Sequence, residues 1–204
     1  TYTFTIAVPF DKELEIRKLS MPLGSGYLAA AGKADFKDEL SLQLAANNVP
    51  IDLLAALTGK EVAITGSLNG VVNATGKTDN PDVQLSLDLE GPTYNGVKMD
   101  HVYAMVTMKD WQIRIRQFLV QRGTYKGTIY GQAPFSAIFP KYEVGEDRNV
   151  NLKVNLSEAG LGVLPLLNPA ITAGEGPLDG IVEITGPLDN LQAKGTVSVT
   201  NGSL

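Results

Sequence analysis

The sequence predicts an all-β fold with one or two short helices. Its expected form is an elongated, curled β-sheet, a taco-like hydrophobic groove made of tandem repeats. Three observations predict this. Apolar and polar residues alternate along most of the chain; Asn-Gly, Asp-Gly and Asp-Asn pairs punctuate the alternation; and one long stretch overlays another at a constant offset.

The alternation is clearest in Gln84–Glu90, where Leu85, Leu87 and Leu89 share one face while Gln84, Ser86, Asp88 and Glu90 take the other. Asn151–Leu156 obeys the same rule, as do Thr3–Phe10, Trp111–Arg116 and Thr196–Thr200. Strict alternation marks a strand with one apolar and one wet face. Turns are expected at Asn69-Gly70, Asp79-Asn80-Pro81, Asn95-Gly96, Asp179-Gly180, Asp189-Asn190 and Asn201-Gly202, since these pairs accept the backbone angles of tight turns. Two segments depart from period two. Val49–Lys60 carries Pro50 where a first helical turn tolerates it and Gly59 where a helix ends. Gly160–Pro169 is apolar and short and is interrupted by Pro165. Short helices are expected around Ile51–Leu57 and Leu161–Leu167. Their role is packing, with capping or gating of a groove as the alternative.

Ser41–Pro92 overlays Asn151–Gly202 without a gap, each residue meeting the one 110 positions later. Gly66, Leu68, Gly70, Val72, Thr75, Gly76, Asp79 and Asn80 meet Gly176, Leu178, Gly180, Val182, Thr185, Gly186, Asp189 and Asn190. Upstream, Leu14-x-Ile16-x-x-Leu19-x-Met21-x-x-Gly24 matches Ile113-x-Ile115-x-x-Phe118-x-Val120-x-x-Gly123 at an offset of 99. The change of offset implies an insertion, for which the charged Pro140–Val150 is the candidate. The chain therefore reads as a single elongated repeat domain over 1–204. Residues 1–12 are the tail of a previous unit, 13–110 unit one, and 111–204 a truncated unit two. A chain that opens on Thr1 and is cut within its repeat at both ends reads as a piece of a longer array.

A strand with one apolar face must bury it. A second sheet does so in a closed sandwich or barrel. In a repeat array the sheet instead curls around its own apolar face and grows in one dimension. The curled form leaves an apolar trough, which requires an occupant such as a lipid chain, an unfolded strand or another copy.

Composition narrows the chemistry. The 204 residues include no cysteine and one histidine, which excludes thiol catalysis, disulfides, and cysteine or multi-histidine metal sites. A formal net charge of -5 gives no phosphate-neutralising footprint, so no nucleic-acid partner is expected. The opening TYTFTIAVPF has no basic n-region of a signal peptide. No segment has the roughly 20 apolar residues of a spanning helix. No cofactor, metal or enzymatic activity is expected. His101 beside Asp100 formally permits a Ser–His–Asp arrangement, but no G-x-S-x-G elbow accompanies it. Gly24-Ser25-Gly26 and Gly174-Glu175-Gly176 lack the Lys-Ser/Thr of a phosphate loop. Arg114, Arg116 and Arg122 are expected to charge the outer face of one strand.

GKTDNPDVQLSLDLEGPTYNGVKMDHVYAMVTMKDWQIRIRQFLVQRGTYKGTIYGQ combines a T-G-x-x-D-N-P turn, an alternating strand, a Y-N-G-V-K-M-D hairpin and G-x-Y-x-G-x-I-x-G. TGPLDNLQAKGTVSVTNGSL repeats its beginning. This pattern resembles the TamB-like translocation and assembly module proteins, within the AsmA-like, bridge-like lipid-transfer group. The resemblance implies an internal periplasmic piece of a diderm envelope protein whose parent is anchored in the inner membrane. It implies a hydrophobic β-groove that conducts phospholipids between the inner and outer membranes and supports outer-membrane biogenesis. The alternative is a chaperone-like scaffold for outer-membrane barrel or autotransporter assembly. The resemblance implies two partners: phospholipid acyl chains, and a TamA/BamA-type barrel engaged through parts outside this chain.

The residues expected to line the groove are Phe4, Ile6, Val8, Phe10, Leu42, Leu44, Val62, Ile64, Leu85, Leu87, Leu89, Ile113, Ile115, Val154, Leu156, Val182, Ile184, Val197 and Val199. The bland reading of the same set is a dry core. A purely structural rod is the third functional class. A homodimer of the piece, formed by covering cut sheet edges, is also expected.

Overall fold

The computed structural model describes residues 14–35, 39–53, 64–94, 96–142, 144–145, 147–160 and 176–201. Phe4, Ile6, Val8, Phe10 and Val62 lie outside the described residues, as does the second expected helix. Of the first, residues 51–53 are helical and the remainder lies outside.

One antiparallel sheet organises the described residues. Its strands are β1 (Leu14–Leu23), β2 (Gly26–Ala34), β3 (Glu39–Pro50), β4 (Ile64–Lys77), β5 (Asn80–Tyr94), β6 (Val97–Lys98), β7 (His101–Lys109), β8 (Gln112–Arg122), β9 (Tyr125–Pro134), β10 (Asn149–Gly160), β11 (Pro177–Pro187) and β12 (Gln192–Val199). Each strand pairs with its sequence neighbour, except that β5 pairs directly with β7 and the short β6 folds back on β5. The sheet curls without closing, and β1 and β12 are its two ends. A 3-10 turn, Phe135–Ala137, follows β9.

The registers repeat with the sequence. Leu44 pairs Val72 between β3 and β4, and Val154 pairs Val182 between β10 and β11, each residue 110 further on. The ladder breaks after Ala46 in the first pair and after Leu156 in the second, again at corresponding places. Ile16 pairs Gly32 and Ile115 pairs Gly131, at the offset of 99, with ladder breaks at Ile16/Leu19 and Ile115/Phe118. A bulge adds one residue to one strand and bends it, so a bend placed identically in each copy curls the sheet in the same sense.

Two expected turns are not turns. Asn69-Gly70 lies inside β4 and Asp179-Gly180 inside β11. A Cβ on Gly70 would stand 3.0 Å from the Ser86 carbonyl oxygen, and one on Gly180 2.7 Å from that of Thr196. Glycine is needed here for close backbone approach between strands, not for reversing the chain. Trp111, expected to open a strand, instead sits in the β7–β8 turn. Asp110 and Trp111 have φ of 49° and 59°, as a two-residue hairpin turn of type I′ requires. A bulky residue rarely adopts this conformation. Trp111 is held there by the Phe135 N–H, which donates to its carbonyl oxygen at 2.8 Å. The Phe135 ring also packs edge-on at 5.4 Å.

Ion pairs lie on the polar face of the sheet: Lys109 to Asp82 at 3.0 Å and Lys153 to Glu183 at 3.5 Å. The hydrogen bond to Asp82, reinforced by its charge, holds the Lys109 ammonium above its usual range. Both pairs are exposed, and exposed pairs stabilise little. Among the described residues the buried apolar side chains include Val49, Met99, Val102, Ala104, Ile113, Ala133, Val150 and Leu178.

The same steric argument applies to Gly131, whose φ is +130° and whose Cβ would stand 2.0 Å from the Asn151 carbonyl oxygen. Gly131→Ala should destabilise the chain by about 3 kcal/mol in urea unfolding. Gly123→Ala, in a turn with nothing within 4 Å of the new Cβ, should cost only about 1 kcal/mol.

Candidate functional site

In an antiparallel sheet, directly paired residues share a face, and their side chains meet. Pairing can be followed from strand to strand across the whole sheet. One such row is Leu19, Ala30, Leu44, Val72, Leu85, Val106, Ile115, Gly131, Leu152, Ile184 and Ala193. The next is Met21, Leu28, Ala46, Gly70, Leu87, Ala104, Phe118, Ile129, Val154, Val182 and Gly195. Eleven strands contribute to each row, and every residue in both is apolar. At about 4.8 Å per strand the rows run about 48 Å.

A third row begins at Val49 and passes through Leu68, Leu89, Val102, Val120, Gly127, Leu156, Gly180 and Val197. The opposite face carries the complementary row Gln43, Asn73, Gln84, Thr107, Arg114, Gln132, Asn151, Thr185 and Gln192. Neighbours in that row hydrogen-bond: the Gln43 amide donates to Asn73 Oδ1 at 3.1 Å. The expected outer-face charge holds for Arg114, whereas Arg122, pairing Tyr125 two residues beyond Val120, takes the groove-face register at the end of β8.

The apolar face is open. Where β1 to β5 curl, it encloses a groove of about 470 Å³ lined by apolar residues, among them Leu19, Met21, Leu28, Leu44, Leu68, Leu85 and Leu87. That volume lies within the range of small-molecule sites. Leu44 in its floor is 41% exposed, and Val197 and Val199 toward the β12 end are 54% and 47% exposed. In a closed sandwich a position such as Leu44, on the third strand of the sheet, would be covered by a second layer.

Of the residues read from sequence as groove-lining, Leu44, Leu85, Ile115 and Ile184 share the first row; Leu87, Val154 and Val182 share the second; and Leu89, Leu156 and Val197 share the third. Leu42 and Ile113 fall in the row above these, which runs through Ala74, Val83 and Met108. Val199 pairs Leu178 at the far end. Ile64 pairs Tyr94 beyond the break at Thr65/Ser67, outside the rows. Ile113 is buried, not groove-exposed. Sequence reasoning missed Leu19, Met21, Phe118 and Val120. In β1 and β8 the bulge shifts the apolar phase by one residue, so strict alternation loses them. The signal was the x-x step in Ile16-x-x-Leu19 and Ile115-x-x-Phe118, which is the written form of a bulge. Ala30, Ala46 and Ala104 were missed because small residues carry little hydropathy contrast.

His101 Nε2 lies 3.1 Å from Asp88 Oδ1, while Asp100 accepts from the Gly123 N–H. His101 and Asp100 are therefore engaged with separate partners. Among the described residues no three His, Cys, Asp or Glu side chains gather as a metal site, and no helix is long and apolar enough to cross a membrane.

Comparison with protein-family models, curated proteins and solved structures found no match.

Truncation separates groove from core. Ile113→Ala should cost about 3 kcal/mol in chemical unfolding, as for a buried aliphatic side chain. Leu44→Ala should cost about 1 kcal/mol or less, because its side chain loses only part of its exposure on folding.

Proposed function

We propose that the chain is a non-enzymatic lipid conduit: its open apolar face holds phospholipid acyl chains and passes them along the rows. The setting implied by the sequence resemblance is the periplasm of a diderm envelope, where such a groove moves phospholipid between inner and outer membranes and serves outer-membrane biogenesis. The observation that carries this reading is the pair of unbroken apolar rows across eleven strands of an unclosed sheet, with Leu44 in the groove floor 41% exposed. A face of that extent without a polar interruption suits a ligand that is long, apolar and uniform, because no position demands a hydrogen bond. Each methylene buried gains about 0.8 kcal/mol. A uniform track offers nearly the same gain at each step, so a chain can slide without climbing out of a deep well. Headgroups would stay at the rim, in water.

Leu87→Asp places a carboxylate in the middle of the second row, and Gln84→Asp places one on the outer face of the same strand. The expected result is at least tenfold weaker binding of a fluorescent phospholipid by the Leu87→Asp protein. Gln84→Asp should bind as the parent does, and both should keep their β-sheet circular dichroism. Equal binding by both variants, or no binding of lipid by the delipidated parent at any concentration, would sink the proposal.

A further inference from the structure

We infer that Arg122 and Tyr125, on one lip of the groove, hold the phosphodiester of a lipid whose acyl chains lie across the apolar rows. This headgroup site rests on the conduit reading: it names what the lip recognises, where the rows recognise only length and apolarity. The three rows hold apolar residues only. β8 keeps to this through Ile115, Phe118 and Val120, then two residues on places Arg122 in the same register, directly paired with Tyr125 of β9. Directly paired residues share a face and stand side by side. A guanidinium and a phenol hydroxyl are thus presented together where the third row meets water. Arg122 is exposed and Tyr125 half-buried.

The repeat supplies an internal control. At the offset of 99, Arg122 and Tyr125 correspond to Leu23 and Gly26, which pair in the same way where β1 meets β2. The intervening turns match as well, Gly24 and Gly123 having φ of 63° and 60°. One hairpin is built twice, once with an apolar lip and once with a polar one. The turn does not need the arginine, since the first copy forms it without one. Neighbouring charges do not need it either: among the described residues Arg122 makes no ion pair or side-chain hydrogen bond. Asp100, whose N–H donates to the Gln121 carbonyl oxygen, has a carboxylate that accepts from the Gly123 N–H.

A planar guanidinium matches two phosphate oxygens at once. The stem of an arginine can lie on apolar surface while its head stays in water. That division, apolar below and charged above, is the one a phospholipid has. From Arg122 to Ile115, β8 spans about 23 Å at about 3.3 Å per residue. The chains of one leaflet cover about 15 Å, half of a bilayer core of about 30 Å. Tails entering below Arg122 therefore stay on the apolar rows and do not reach the far lip. Tyr125 adds a hydroxyl donor beside the guanidinium. The corresponding lip of the first copy offers neither group, so phosphate is recognised at one station along the sheet.

The test compares two chain-labelled fluorescent lipids with the same tails, a phosphatidylcholine and a diacylglycerol, of which the second lacks the phosphodiester. The parent should bind the phospholipid about tenfold more tightly, the effect of a charge-assisted hydrogen-bonded pair. Arg122→Gln should lose that preference, binding phosphatidylcholine about tenfold more weakly and the diacylglycerol as the parent does. Tyr125→Phe should weaken phosphatidylcholine about threefold, as for one neutral hydrogen bond. Arg114→Gln removes the same charge from the outer face of the same strand and should bind both lipids as the parent does. Inorganic phosphate at millimolar concentration should displace neither lipid. An unchanged preference in Arg122→Gln would overturn the inference, as would equal loss of both lipids, equal loss in Arg114→Gln, or displacement by inorganic phosphate. A parent that binds the two lipids equally removes the headgroup site alone; one that binds neither removes the conduit reading and the site with it.

Discussion

Strand register is the constraint on which the rest of the structure depends. Side chains alternate between faces with a period of two, so a slip of one residue in any pairing would turn that strand's apolar set to the opposite side. Eleven strands must keep phase for Leu19 at one end and Ala193 at the other to stand in the same row. The chain holds phase with short connections between neighbours, such as Gly24-Ser25 and Asp110-Trp111, which fix the offset of the two strands they join. It also uses bulges, which correct the phase where a strand must bend. The polar face adds hydrogen bonds and ion pairs between facing side chains, and a slipped ladder would break them. None is strong alone, but a mispairing loses several together.

Curvature follows from the same economy. A flat sheet of this width would leave its apolar face to water, and a second sheet would need as many residues again. Repeating the bulge at corresponding positions in each copy bends the ladder without interrupting the apolar rows, because the phase shift it introduces is matched by the x-x step in the sequence. Close backbone approach at Gly70 and Gly180, and at Gly32 and Gly131, removes Cβ atoms that would otherwise push neighbouring strands apart. The glycines of the two copies thus act as a geometric set.

Among the described residues, the face so made is apolar along its central rows. No charged or amide side chain enters the three apolar rows, Arg122 taking that face only at the end of β8, and the single histidine lies beside Asp88. An apolar surface of this kind differs from a protein interior in one respect: its side chains are arranged as a core would be, yet Leu44 and Val197 remain well exposed. The surface is thus ordered but uncovered.

The sequence by itself determined the fold class, because alternation in Gln84–Glu90 and Asn151–Leu156 leaves strands with one apolar face as the only regular solution. It also determined the repeat, since matched glycines and turn residues at a constant offset are visible without coordinates. That Leu85, Leu87, Ile115 and Val154 share the apolar face was legible for the same reason. The tertiary structure decided what depends on neighbours distant in sequence. Gly70 and Gly180 read locally as turn residues, yet they serve the approach of Ser86 and Thr196, which only strand pairing brings near. Phe118 and Val120 join the apolar face only because β8 bulges against β9. Whether the apolar face is covered is a property of how the sheet curls and where it ends. Alternation specifies that a strand has two unlike faces, and only the arrangement of all the strands specifies what each face meets.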